Sequence, residues 1–248
     1  MKLRPRLKVI AEMLPRCSLI CDIGTDHAYL PIYLLKNHIC KRAVITEISQ
    51  GPLNTAYKNV SKENVENNIE AILGNGLNAL ICSKCLKESK DGDYVVIIAG
   101  MGGSLMVKII NDGIHYAKKA KTLILQPMSR IEIVTEWLIN QGFEIYNQRL
   151  VKDDNRIYNV LAVKWTGIQK KYNTVDLYIG KKLIDEEDPL LKEYINWKIS
   201  IIDKIIANLS NYKDTSDSKN NSGNFAALLE LKKDMLNILN IFDKQRGE

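Results

Sequence analysis

The sequence lacks any apolar run approaching the roughly 18–20 consecutive residues that a bilayer-spanning helix needs. Residues 1–8 carry four basic side chains, but no apolar block follows them as it would in a secretory signal peptide. These two absences exclude a membrane protein and predict a cytoplasmic one with no membrane partner.

Cysteine is also sparse, since the chain has 5, an odd and scattered set. Cys82 and Cys85 form a C-x-x-C pair, but there is no second pair to complete a zinc site. We therefore expect free, mostly buried thiols in a reducing compartment and no bound metal.

The dinucleotide fingerprint G-x-G-x-x-G is missing where the first strand turns into a helix. Residues 18–21 read as a buried strand, Asp22 closes it, and Gly24 is the one glycine before a helix that begins near Ala28. This disfavours a nicotinamide dehydrogenase. Two acids, Asp22 and Asp26, around a single glycine suit a ligand with an amino acid moiety better than a pyrophosphate. S-adenosylmethionine is such a ligand.

What the sequence does contain is an alternation of short apolar strands and helices after an amphipathic helix at residues 3–14. The predicted strands are 18–21, 43–47, 69–73, 94–99 and 122–125, followed by a hairpin of 144–152 and 156–165. This pattern predicts an α/β fold, with a parallel sheet covered on both faces and finished by an antiparallel hairpin. Ligands bind such sheets at the carboxyl ends of the strands. Polar and glycine residues follow all five strands, at 22–27, 47, 75–76, 100–103 and 126–128.

Beyond residue 165 the pattern changes to two helical apolar stripes, which start at Leu191 and Leu228. A polar segment at 213–224 separates them and is expected to be a mobile loop. The stripes predict an antiparallel helical hairpin with coiled-coil-like packing. We thus predict two domains, 1–165 and 166–248.

The excess of basic over acidic residues lies entirely in the first of these domains. Residues 1–165 hold 22 Lys and Arg against 16 Asp and Glu, whereas residues 166–248 hold 13 of each. A basic bias favours a polyanionic partner such as nucleic acid, although a solvated basic surface fits equally well. The same choice applies to Arg4, Arg6 and Lys8 on the first helix, which either face solvent or contact phosphates.

A role toward S-adenosylmethionine can be assigned to several strand-end residues. Gly24 lets the backbone run beside the methionine part, and Asp22 or Asp26 can pair with its ammonium. Glu47 can accept both ribose hydroxyls, and Asn75 can read the adenine edge. The structural alternatives are a helix cap for Asp22, plain exposure for Glu47 and a turn at Asn75. The predicted cofactor-binding residues are Asp22, Gly24, Thr25, Glu47, Asn75, Gly76, Gly100 and Met101.

Four motifs resemble those of the bacterial tRNA (adenine-22-N1)-methyltransferases, which are class I S-adenosylmethionine enzymes with a Rossmann-like sheet. They are D-I-G-T-D-H-A-Y-L-P at 22–31, G-N-G-L at 74–77, I-A-G-M-G-G at 98–103 and L-Q-P-M at 125–128. The resemblance covers residues 1–165, and a helical carboxyl-terminal extension is typical of the family. One departure is Asn75, where relatives often have Asp; the change keeps an acceptor oxygen and loses the charge.

The resemblance implies methyl transfer to N1 of adenine 22 in the D-arm, with tRNA as partner. Neutral N1 needs no deprotonation, so positioning supplies most of the rate. Asp26 is the candidate for stabilising the cationic product, His27 orients it or accepts a proton, and Tyr29 stacks on the extruded base. We expect a monomer. The alternatives are methylation of another RNA, a protein or a small metabolite, and a non-catalytic RNA-binding module.

Overall fold

The computed structural model describes residues 3–89, 92–211 and 218–246. The chain forms two compact units, Met1–Lys171 and Tyr172–Glu248. The first unit extends past residue 165 because the next residues are hydrogen-bonded to it. The main-chain N–H groups of Thr166 and Gly167 donate to the Gly142 carbonyl at 3.0 and 3.1 Å. Lys170 Nζ lies 2.7 Å from a carboxylate oxygen of Glu144.

The first unit is built on a seven-stranded sheet of order β3-β2-β1-β4-β5-β7-β6. Its strands are β1 (Leu19–Ile23), β2 (Arg42–Glu47), β3 (Ile69–Leu73), β4 (Tyr94–Gly102), β5 (Thr122–Ser129), β6 (Phe143–Asp153) and β7 (Arg156–Trp165). Strands β1 to β5 pair in parallel, and β7 joins β5 and β6 antiparallel. The predicted α/β class and the closing hairpin are confirmed.

Helices cover both faces of this sheet. They are α1 (Pro5–Met13), α2 (Tyr29–Lys36), α3 (Gln50–Lys62), α4 (Lys84–Glu88), α5 (Gly103–Asp112), α6 (Ile114–Lys119) and α7 (Ile131–Asn140). One apolar cluster packs α5 and α7 against the sheet through Met106 and Leu138. The other packs α1, α2 and α3 on the opposite face, through Ile10, Ile32 and Val60. Burial on both faces explains why the parallel strands read as continuous apolar runs.

Strands β4 and β5 are longer than the sequence predicts. The expected ends were 99 and 125, with a glycine loop after the first, but β4 runs to Gly102 and β5 to Ser129. The pairing continues through a bulge at Gly100, whose φ is +78°, so that Met101 pairs with Pro127 and Gly102 with Ser129. Glycine adopts this positive-φ conformation without steric strain, so it can occupy the extra position of the bulge. A residue with a side chain would be strained there.

The helical segment after β4 consists of two helices, α5 and α6, which meet at Gly113. A Cβ at Gly113 would lie 2.3 Å from the Leu77 Cβ, so a glycine is required by the close approach of the two segments. Leu77 itself belongs to a 3₁₀ helix, Gly76–Cys82.

The second unit contains α8 (Lys181–Asp185), α9 (Leu191–Asn211) and α10 (Ser218–Arg246), with a π-helical turn at Asp176–Gly180. Helices α9 and α10 are antiparallel. Lys192 near the start of α9 pairs with Asp243 at 2.6 Å, and Asp203 further along pairs with Lys232 at 2.5 Å. The predicted hairpin is thus present. Residues 218–224, which belong to the polar segment expected to be a loop, are helical; Tyr212 and residues 213–217 lie outside the described ranges.

None of the described helices combines the length and the apolar character needed to span a membrane. All five cysteines are free: Cys21, Cys40 and Cys85 are buried, Cys17 is half-buried and Cys82 is exposed. Within the described ranges, no group of three or more His, Cys, Asp or Glu residues is arranged to hold a metal ion.

Candidate active site

The carboxyl ends of the central strands lie side by side at one edge of the sheet. Ile23 at the end of β1 pairs with Thr46 of β2 on one side and with Ile98 of β4 on the other. The loop after β1 is held on its neighbour, because the N–H groups of Gly24 and Thr25 both donate to the Thr46 carbonyl, at 2.9 and 3.2 Å. The loops that carry the predicted site residues therefore start from one row of the sheet.

Glu47 ends β2 in this row and is half-buried. Its Oε1 accepts a hydrogen bond from the N–H of Ile48 at 3.0 Å, and its main-chain oxygen accepts one from Gly74 at 2.9 Å. The second contact brings the exit of β3 beside Glu47. Asn75 follows, exposed, with its side chain making no cap to the helix after it. Gly76 has φ +56° and lies against α5.

Asp22 is buried, with 6% of its surface exposed. Thr25, also buried, donates from Oγ1 to Asp22 Oδ2 at 2.6 Å. Burial raises the pKa of the Asp22 carboxyl to about 6, and the nearby charge of Glu47 acts in the same direction. Among the described residues no cation pairs with Asp22. The helix-cap alternative is wrong, because Ala28 occupies the N-cap of α2 and no side chain caps that helix.

The loop after β1 is strained. Gly24 has φ +73°, and two residues that are not glycine, Asp26 and Ala28, have φ of +52° and +58°. Left-handed conformations of such residues cost on the order of 1–3 kcal/mol each and persist only where surrounding contacts enforce them. One such contact comes from Asn59 of α3, whose Nδ2 donates to the His27 carbonyl at 3.0 Å. Sequence reasoning missed Asn59, since a polar residue on an amphipathic helix gives no signal.

The three predicted catalytic residues lie together in this loop and at the start of α2. The Asp26 side chain is 76% exposed, and its Oδ2 lies 3.6 Å from His27 Nε2. The His27 ring stacks on Tyr29, with centroids 5.2 Å apart and planes at 14°. Tyr29 is 45% exposed, so it is not a core-packing residue. The loop thus presents a carboxylate, an imidazole and an aromatic face next to each other.

Gly100 and Met101, near the end of β4, lie at the same edge of the sheet as the loop after β1. A Cβ at Gly100 would meet no atom within 4 Å, so open space adjoins this position. The Met101 Cε lies 2.3 Å from where a Gly24 Cβ would be, so this methyl group covers Gly24. The Gly100 N–H donates to Oε1 of the buried Gln126 at 3.1 Å. Gln126 belongs to the strand-end residues 126–128 that the sequence indicated, although no role in the site was predicted for it.

These residues fit S-adenosylmethionine. Asp22 is a buried carboxylate with no cation partner in the described part of the chain, which suits an ammonium group. Gly24 carries no side chain of its own, and the flexible Met101 side chain covers it. Glu47 stands one strand away, as the ribose-binding acid does in related sheets. The loop after β1 offers no second and third glycine for a pyrophosphate, which agrees with the missing fingerprint.

Comparison with known proteins gives a consistent assignment. Residues 3–161 match the family described as "Methyltransferase domain". A curated relative, the tRNA (adenine(22)-N(1))-methyltransferase of Bacillus subtilis strain 168, is 28% identical over 95% of this chain and 98% of its own.

Solved structures agree over the full length. The crystal structure of the B. subtilis m1A22 tRNA methyltransferase TrmK has a TM-score of 0.81 at 28% identity, covering 94% of this chain and 98% of its own. Streptococcus pneumoniae Sp1610, solved in complex with S-adenosyl-L-methionine, has a TM-score of 0.71 at 28% identity, covering 92% and 98%. The family that the four sequence motifs indicated is confirmed. This chain belongs to the methyltransferase domain family, in the group of the bacterial tRNA (adenine(22)-N1)-methyltransferases.

Proposed function

We propose that this protein is an S-adenosylmethionine-dependent enzyme that methylates N1 of adenine 22 in the D-arm of tRNA. The observation that carries the proposal is the convergence of Asp22, Glu47 and Gly100 at one edge of the sheet, because their strands lie side by side in parallel register. The relatives named above support the substrate and the methyl donor.

In this proposal the cofactor is held by the ends of β1, β2 and β3. Asp22 pairs with the ammonium group, since it is a buried anion that lacks a cation among the described residues. Thr25 keeps the Asp22 carboxylate in place through its hydroxyl. Glu47 accepts hydrogen bonds from the ribose hydroxyls, and Asn75, exposed at the end of β3, contacts the adenine. Gly76 allows the chain to turn there with a positive φ.

When bound, S-adenosylmethionine supplies a methyl group on a positively charged sulfur, and its transfer to neutral adenine N1 leaves the adenine positively charged. Asp26 stabilises that charge as it develops, because its carboxylate is exposed at the mouth of the site. His27, 3.6 Å away, orients this carboxylate. Tyr29 offers a ring on which the target base stacks once it leaves its own stack. Adenine enters beside Gly100, where the structure has open space.

The decisive experiment is incubation of the enzyme with labelled S-adenosylmethionine and unmodified tRNA, followed by nucleoside analysis. We expect 1-methyladenosine, and we expect it to vanish when adenine 22 is replaced by guanine. Methylation that survives the replacement would move the target to another position. Methylation of protein or metabolites in place of tRNA would overturn the proposal.

Calorimetry with S-adenosylmethionine alone distinguishes the proposed enzyme from the alternative function, a non-catalytic RNA-binding module. The proposed enzyme releases or takes up heat on binding, and an Asp22→Ala variant does not. The absence of any binding to the unaltered protein, together with retained tRNA affinity, would favour the RNA-binding module.

We further propose that the enzyme acts in the cytoplasm as a monomer. Every residue assigned above comes from a single chain, so the proposed site needs no second copy. Light scattering with and without tRNA tests this: a mass near 28.2 kDa for the free protein supports a monomer, and twice that mass contradicts it.

A further inference from the structure

Arg6 of α1 reaches Met128 near the carboxyl end of β5. Its Nη1 lies 3.1 Å from the sulfur of Met128, and its Cζ lies 5.3 Å from the centre of the Tyr158 ring. Its Nε is buried and has no hydrogen-bond partner. Within the described ranges, no carboxylate forms an ion pair with this guanidinium.

This is an unusual environment for an arginine. A guanidinium is always charged and has five N–H donors, whereas a thioether sulfur is a weak acceptor. Two other arginines of this unit have carboxylate partners: Arg42 lies 2.8 Å from Glu88, and Arg149 lies 3.1 Å from Glu12. A half-buried cation with an unsatisfied donor is costly unless a bound group completes its contacts.

The place where Arg6 ends is part of the candidate active site. Gln126 Nε2 lies 3.6 Å from the same Met128 sulfur, and Gln126 Oε1 accepts the N–H of Gly100. Arg6 is therefore linked through two side chains to the open space beside Gly100. An anion bound to Arg6 would lie at the same edge of the sheet as the reactants.

We propose that Arg6 binds an oxyanion of a reactant, completing a subsite formed with Met128 and Tyr158. The oxyanion is the carboxylate of the methionine part of S-adenosylmethionine or a tRNA phosphate next to the target adenine. Both present the planar or forked oxygens that a guanidinium matches. Only the second alternative, binding of a tRNA phosphate, rests on the proposed function.

The test uses Arg6→Gln and Arg6→Met, each of which removes the charge, and Met also keeps an apolar contact with Tyr158. Arg42→Gln is the matched control, since it removes an arginine from the amino end of β2, at the opposite edge of the sheet. Calorimetry in the absence of tRNA measures the affinity for S-adenosylmethionine and so tests whether Arg6 binds its carboxylate. Filter binding of tRNA over a range of salt concentrations tests whether Arg6 binds a phosphate.

If the carboxylate is bound, both Arg6 variants weaken the affinity for S-adenosylmethionine at least about tenfold. If a phosphate is bound, that affinity stays within about twofold, tRNA affinity falls, and the log–log salt slope decreases by roughly 0.7–0.9, the equivalent of one phosphate. In either case the melting temperature of the Arg6 variants does not fall, because the substitution removes an unpaired charge. The control Arg42→Gln changes neither the affinity for S-adenosylmethionine nor that for tRNA.

Unchanged affinities in both arms, for a variant that melts as the original protein does, would overturn the proposal. So would a melting temperature lowered in both variants with no selective loss of either ligand, since Arg6 would then be structural. Failure of the unaltered enzyme to methylate tRNA would refute the proposed function instead, and the calorimetric arm would still decide whether Arg6 binds the carboxylate.

Discussion

The side-chain amide of Asn59 donates a hydrogen bond to the main-chain oxygen of His27 at 3.0 Å. This contact joins α3 to the loop after β1, in which Asp26 and Ala28 on either side of His27 have positive φ. The position of the Asp26 carboxylate therefore depends on a helix that lies more than twenty residues further along the chain.

We predict that Asn59→Ala lowers kcat by about tenfold while changing the affinity for S-adenosylmethionine by less than about threefold, because releasing the loop misplaces Asp26 without removing the cofactor contacts. Single-turnover kinetics and calorimetry measure the two effects. The matched control is Asn68→Ala, since Asn68 makes the same kind of bond to the Lys41 carbonyl at 3.1 Å, away from the site. An equal loss of kcat in both variants would show a general effect on stability.

Asp26→Ala is expected to abolish most turnover and to leave cofactor affinity within about tenfold, or roughly 1.4 kcal/mol. In the proposed mechanism the exposed carboxylate stabilises the positive charge that moves from the sulfur to the adenine during transfer, so its loss affects transfer more than cofactor binding. Rates with saturating tRNA and calorimetry check this, and Asp26→Asn separates charge from shape. Unchanged turnover in Asp26→Ala would remove this residue from the mechanism.

The affinity for S-adenosylmethionine should depend on pH through Asp22. The pKa of this carboxyl in the free protein is raised to about 6 by burial, and an ammonium partner favours its charged form. Affinity is therefore expected to be constant above about pH 7 and to fall by up to tenfold per pH unit below about 6. Calorimetry between pH 5 and 8 measures it. Asp22→Asn should bind weakly with a flat profile; a sloping profile in that variant would assign the titration to another group.

The same carboxylate should destabilise the free protein at neutral pH. Because its pKa is raised from 3.8 to about 6, the folded state holds the proton more tightly than the unfolded chain, so stability increases as the pH falls from about 6 towards 4. Asp22→Asn keeps an acceptor for the Thr25 hydroxyl. We expect it to raise the free energy of unfolding at pH 7.5 by on the order of 1–3 kcal/mol, measured by urea denaturation without cofactor. A less stable variant would contradict the burial argument.

Affinity for tRNA should fall steeply with salt. The first 165 residues hold 22 basic against 16 acidic side chains, and phosphate contacts release bound counterions. A plot of log affinity against log salt concentration is expected to be linear with a negative slope of several units. A flat response would contradict binding through phosphates.

Much of the candidate site could be predicted from the sequence, because short apolar strands and helices alternate regularly along the first unit. Asp22, Gly24 and Glu47 each follow or end a short apolar strand, and parallel strands place their carboxyl ends at one edge. Residues chosen by that rule, Gly100 among them, lie in the row that the sequence predicts. Their contacts with cofactor remain predictions.

Other features depend on pairs of residues far apart in the chain. The extension of β4 through Gly100 required a bulge that only the partner strand β5 reveals. The break at Gly113 follows from Leu77 lying against it. Local periodicity carries no information on such contacts, since each partner is ordinary in its own segment.

The sequence by itself determined the fold class, the family and the edge of the sheet that carries the candidate site, because apolar periodicity and strand-end residues are local properties of the chain. Only the tertiary structure decided that Asn59 holds the His27 carbonyl and that, among the residues described, Asp22 is buried without a cation and Arg6 ends at Met128 without an anion. Burial, hydrogen bonding and charge pairing are set by which segments meet in space, and no local pattern encodes them.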